Sequence, residues 1–97
     1  MISVEVKPFF DIKEIIRKPH LEMEVEEGTT VEGLLMQLVE TYGPELRKVL
    51  IDPETGEIES HYMILINGKG TFQFPEGINM SLEDGDVISI LMFLTGG

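Results

Sequence analysis

Ninety-seven residues, 42% of them hydrophobic and with no break in composition, favour a single domain built from one sheet and one or two helices. The absence of cysteine excludes disulfides, thiolate metal sites and iron–sulfur clusters. A net charge of −11, from 18 acidic and seven basic residues, repels nucleic acid and anionic membranes and steers in a basic protein partner, unless the acidic coat serves only to keep the protein dissolved.

The chain opens on Ile2-Ser3-Val4-Glu5-Val6-Lys7, a strict alternation that reads as a half-buried strand stopped by Pro8. No basic run followed by an apolar one marks a signal peptide, and nothing approaches the roughly 18 apolar residues that span a bilayer. A soluble, cytoplasmic protein is expected. Leu21-Glu22-Met23-Glu24-Val25-Glu26 alternates in the same way up to Gly28. Between these strands lie Phe9, Phe10, Ile12, Ile15 and Ile16, so part of the connection must fold back onto the core.

Val31, Leu34, Leu35, Leu38, Val39 and Tyr42 fall on one face of an α-helix. Thr29 and Glu32 have capping-box spacing, and Gly43-Pro44 closes the other end. Leu46, Val49 and Leu50 suit a further short helix, and residues 52–56 a turn. Tyr62 to Ile66 reads as a strand ending in the turn Asn67-Gly68, and residues 71–74 as a short edge strand. After a tight turn at residues 82–86, residues 87–94 are nearly continuous apolar, the pattern of a central strand covered on both faces. The order is that of an α+β protein: a mixed sheet crossed by one main helix, as in the β-grasp or ubiquitin-like fold. Its first and last strands would lie side by side and parallel, with Leu35 and Leu38 packed on Val4, Val6, Ile64, Ile88 and Ile90. Other α+β arrangements fit the same pattern.

Candidate chemistry is sparse. His20 and His61 have no companion nucleophile and read as surface residues; Asp52, Glu54, Glu57 and Glu59 lack calcium-loop spacing and read as a solvated turn. No metal site is expected. Gly96 and Gly97 are different, because terminal glycines pack nothing and lose the most entropy on ordering. They suit a tail that threads a narrow channel and delivers its α-carboxylate, ionised at pH 7 with a pKa near ~3.5. Such a carboxylate can attack the α-phosphate of ATP, and a sulfur nucleophile can then displace AMP. The division expected is a β-grasp domain over residues 1–94 and a flexible reactive tail over 95–97.

Several segments resemble the MoaD/ThiS group of ubiquitin-like sulfur carriers, and MoaD more closely in length. They are Val6-Lys7-Pro8-Phe9-Phe10, Gly28-Thr29-Thr30-Val31, Leu65-Ile66-Asn67-Gly68, Leu82-Glu83-Asp84-Gly85-Asp86-Val87 and Gly96-Gly97. The resemblance implies a non-catalytic carrier. A ubiquitin-activating-type adenylyltransferase, using its own ATP and Mg²⁺, would activate the tail, and a sulfur donor protein or sulfide would load it. Gly97 would then bear a thiocarboxylate, Gly96 and Thr95 would form the slender tail, and Phe93, Leu94 and Met92 would dock the partner. In the MoaD branch the tail enters a larger, MoaE-like synthase subunit that builds the dithiolene of molybdopterin. Two alternatives stay open: a protein modifier joining the same tail to lysines, and a non-reactive β-grasp interaction domain. An enzyme acting alone lacks a visible nucleophile–base pair.

Overall fold

In the computed structural model, which describes residues 1–92, the first alternating run forms strand β1 (Ile2–Pro8) with Ile2, Val4 and Val6 buried. The connection does fold back, as the short helix α1 (Phe10–Ile16), because Ile12 and Ile16 lie one turn apart and both enter the core. Strand β2 (Leu21–Val25) then runs antiparallel to β1, with Val4 opposite Met23 and Val6 opposite Leu21.

Helix α2 (Val31–Tyr42) buries Val31, Leu34, Leu35, Leu38 and Val39, the expected stripe. Its cap is Thr30, one residue later than the capping box placed it; Thr30 Oγ1 accepts from the Gly33 N–H at 3.1 Å. Thr29 is otherwise engaged. Its N–H donates to Glu26 O and its carbonyl accepts from the Leu82 N–H, which holds it in the entry turn. Gly43 ends α2, Pro44 begins α3 (Pro44–Leu50), and Leu46 and Leu50 add a further buried layer.

Strand β3 (Tyr62–Ile66) turns at Asn67 and Gly68, whose φ values of 51° and 86° fit the two positive-φ positions of a type I′ hairpin. The returning strand β4 is only Lys69–Gly70, opposite Ile66 and Leu65. Residues 71–74, expected as an edge strand, instead coil into a 3₁₀ turn (Thr71–Gln73) closed by the Phe74 N–H on Thr71 O. The turn lays the Phe72 ring over Gly70, where a Cβ would stand 2.3 Å from a ring carbon. A side chain at 70 would displace the Phe72 ring, and the strand stops there.

The turn at residues 82–86 is fastened to β1 by three hydrogen bonds. Ser3 N–H donates to Asp84 Oδ1, Gly85 N–H to Ser3 O, and Glu5 N–H to Asp86 O. Strand β5 (Val87–Met92) follows, parallel to β1 and antiparallel to β3, giving the sheet order β2-β1-β5-β3-β4. This is the β-grasp arrangement, with the first and last strands adjacent. Leu35, Leu38, Val4, Val6, Ile64, Ile88 and Ile90 share one core cluster on the helix side.

The last strand departs from expectation in one respect. It is central, but only Ile88 and Ile90 are buried, while Val87, Ser89, Leu91 and Met92 stay partly exposed. Helices cover one face of the sheet, and the described residues leave the other open.

Candidate docking face and tail root

Period-two alternation assigns each residue of β5 to a face. On the helix side Ile90 lies opposite Ile64 and Met92 opposite Tyr62; on the open side Leu91 lies opposite Met63 and Ser89 opposite Leu65. Met63, Leu65, Val87 and Leu91, all half-exposed, thus form a continuous apolar strip across β3 and β5. Gly70 pairs with Leu65, so the Phe72 ring above it, 74% exposed, borders the strip. On the other half of the same face, β1 and β2 present Glu5 beside Glu22, with Val87 next in register to Glu5. An apolar platform with an acidic flank is suited to an apolar partner surface edged by cations.

This strip was not found by reading residues 87–94 as a strand covered on both faces. The signal was present, since Ser89 in the middle of that run marks the side that faces water. Of the docking residues expected from sequence, Met92 is half-buried and packs against the core from the helix side. Phe93 and Leu94, like Thr95, Gly96 and Gly97 of the expected tail, lie outside the described residues.

The surroundings of Met92 make up the tail root. On the β1 side the Phe9 N–H donates to Ile90 O at 3.2 Å. Phe10 follows with φ 53°, a left-handed backbone that costs a non-glycine residue roughly 1–2 kcal/mol. Phe9 and Phe10 are 39% and 51% exposed, so this strained junction displays two aromatic rings. On the β3 side the buried Tyr62 donates its hydroxyl to Asp11 Oδ2 at 2.6 Å, while Asp11 Oδ1 accepts from the Ile12 N–H at 2.9 Å. Burial first, then this hydrogen bond and the charges of Asp11 and Glu59, raise the Tyr62 pKa well above the ordinary phenol value. Tyr62 therefore remains a donor at any physiological pH.

The remaining candidates are structural. His20 stands 3.5 Å from Glu5, and His61 3.4 Å from Glu59 and against the Tyr62 ring. Asp52 Oδ1 accepts from the Glu54 N–H, which makes residues 52–56 a turn held by its own side chain. No three His, Asp or Glu side chains converge on a metal-sized site among the described residues. None of the helices there is long and apolar enough to cross a membrane.

The comparisons agree with this geometry. Small archaeal modifier protein 1 (SAMP1) of Methanosarcina acetivorans has a similar structure, with 30% identity, a TM-score of 0.84, and coverage of 100% of this chain and 98% of that one. SAMP1 of Haloferax volcanii gives 25% identity and a TM-score of 0.82 over 98% and 99% of the two chains. CysO of Mycobacterium tuberculosis, at 17% identity, shares the fold with a TM-score of 0.71 over 94% and 99%. No curated protein sequence matches the chain. The ThiS family profile matches residues 9–97. With that span and a β-grasp sheet in place, the chain belongs to the ThiS family, in the ubiquitin-like MoaD/ThiS group.

Proposed function

We propose that this protein carries sulfur on its own last residue. The observation that supports this most is the ThiS profile running through Gly97, so that Gly96-Gly97 falls inside the family's span rather than beyond it. The proposal takes Gly97 as the carboxyl terminus in the cell. Its carboxylate attacks the α-phosphate of ATP and pyrophosphate leaves, giving an acyl-adenylate. Sulfide then displaces AMP and leaves the thiocarboxylate directly. Where a donor protein's persulfide displaces AMP instead, a second protein thiolate attacks the donor sulfur of the resulting acyl disulfide, releasing the thiocarboxylate and leaving a disulfide with the donor. ATP and Mg²⁺ belong to an adenylyltransferase of the ubiquitin-activating type, which supplies the cations for phosphate charge.

In this reading the chain contributes presentation and docking. The apolar strip of Met63, Leu65, Val87 and Leu91 seats the adenylyltransferase, and Phe93 and Leu94 continue the contact toward the tail. The acidic flank accelerates the encounter with a basic enzyme surface. Gly96 and Gly97 have no Cβ to block a narrow channel. We propose a cytoplasmic carrier of the molybdopterin type, whose tail enters a larger, MoaE-like subunit.

A second reading, a modifier joined through the same tail to lysines, draws support from the 30% identity to small archaeal modifier protein 1. Both share the adenylation step and diverge at the acceptor. The discriminating experiment is intact mass of the protein isolated from its native host. One terminal oxygen replaced by sulfur supports the carrier, and lysine-linked adducts support the modifier. A chain that stays unmodified, with no adenylation by the host enzyme, points to an interaction domain.

A further inference from the structure

A short helix capped at neither end by a side chain sits beside the last described residues of β5. Phe9, at the N-cap of α1, makes no side-chain capping bond; Phe10 and Arg17, at its two ends, both have left-handed backbones, with φ 53° and 65°. Seven residues are far too few for a helix to be stable alone. Burial of Ile12 and Ile16 holds its inner face, and the one side-chain hydrogen bond from α1 to the sheet, among the described residues, is Asp11 to Tyr62. That bond lands at a telling place. Tyr62 opens β3 and lies opposite Met92, the last residue of β5.

The ladder here can be followed rung by rung. Asn67 N–H donates to Val87 O, so alternate pairs from that point, Leu65 with Ser89 and Met63 with Leu91, exchange the hydrogen bonds between β3 and β5. Among the described residues Met63–Leu91 is the last such rung, and Phe9 to Ile90 O is the last one toward β1. At Met92, the last described residue, side chains add their own restraint: Met92 packs against the core and Tyr62 lies across from it. A buried phenol bonded to a carboxylate at 2.6 Å is a strong restraint, because a charged acceptor roughly doubles the strength of a neutral bond.

We infer that the Tyr62 hydroxyl and the Asp11 carboxylate form a positioning clamp, which ties α1 to the end of the sheet and sets the direction in which the chain leaves β5 toward its tail. The inference deepens the reading that the tail is reactive and rests on it. Tyr62 and Asp11 are positioning residues; neither touches ATP or the reacting carboxylate. The strip of Met63, Leu65, Val87 and Leu91 lies on the opposite side of the sheet, so the clamp governs how the tail is aimed more than it governs docking on that strip.

The test compares Tyr62→Phe, Asp11→Ala and Asp11→Asn with the wild-type full chain. Phe keeps the ring that packs in the core, and Asn keeps an acceptor for the hydroxyl. Amide hydrogen exchange is read at Met63 and Leu91, with Leu35 and Leu38 as global reporters. ATP–pyrophosphate exchange with the activating enzyme is read as separate kcat and KM. Tyr62→Phe and Asp11→Ala should speed exchange at Met63 and Leu91 roughly ten- to a hundredfold, the factor that a hydrogen bond to a charged group carries, with much smaller change at Leu35 and Leu38. Their kcat should fall by a similar factor with a much smaller change in KM, and Asp11→Asn, whose acceptor is uncharged, should restore both in part. Unchanged exchange at Leu91, or a uniform rise at all four amides, would overturn the clamp. So would a loss confined to KM. If the wild type itself gives no pyrophosphate exchange, the reactive-tail reading fails, and the amide data still decide whether the clamp exists.

Discussion

Asp86 is the only buried charged side chain among the described residues, and it explains why residues 82–86 form so recognisable a motif. Its carboxylate accepts from Asn67 Nδ2 at 3.0 Å and from the Glu83 N–H at 2.8 Å, while Asn67 Oδ1 accepts from the Val87 N–H. One carboxylate thus joins the 82–86 turn to the β3–β4 hairpin. Asp86→Ala should cost about 1–3 kcal/mol, measured by denaturant unfolding, since it removes the charged acceptor shared by the Asn67 side chain and the Glu83 N–H. At the helix entry, Thr30→Ala should cost about 1 kcal/mol and Thr29→Ala distinctly less; the reverse order would restore the capping box at Thr29. Tyr62 gives a pH test with a definite sign. Its folded pKa lies above its unfolded value near ~10, so its contribution is complete below pH ~10 and is lost as pH rises through the folded value. Wild-type stability should therefore fall faster than that of Tyr62→Phe above pH ~10, and parallel curves would rule the buried hydrogen bond out.

At the scale of elements, the α2 stripe and the β5 core positions meet in one cluster, so Leu35→Ala or Leu38→Ala should each cost roughly 2–5 kcal/mol. Unchanged unfolding midpoints in both would mean that α2 does not face the sheet. The faces of β5 make a sharper pair. Ile90→Ser should unfold the domain, whereas Leu91→Ser should leave it folded and weaken the activating enzyme by about 1–2 kcal/mol, the scale of a central interface contact. The strands that alternate and the helix with a clean 3.6-residue stripe were legible because burial imposes its period on the sequence. Residues 71–74 were not, since Thr71-Phe72-Gln73-Phe74 alternates like a strand while the contact of Phe72 with Gly70 coils it. The open face was hidden for a related reason: apolar residues on both sides of β5 look alike whether a helix or a partner covers them. The Asp11–Tyr62 bond joins residues 51 apart and leaves no local pattern at all.

Over the whole molecule, charge is segregated. Residues 10–20 and 44–50, which include the packed helices α1 and α3, carry five basic and three acidic side chains, a net +2 that leaves −13 on the rest of the chain. The acidic flank beside the open face should therefore speed association with a basic enzyme, and raised salt should lower the association rate more than it raises the dissociation rate. Equal effects on both rates would remove the steering argument. The account's central claim is that the reactive group is the α-carboxylate of Gly97, and ATP–pyrophosphate exchange tests it most directly. The full-length and Gly97-deleted proteins are compared with the host's activating enzyme, alongside thermal unfolding of each. The account predicts that deletion abolishes exchange while the unfolding midpoint stays nearly constant. Equal exchange by the two proteins would contradict it.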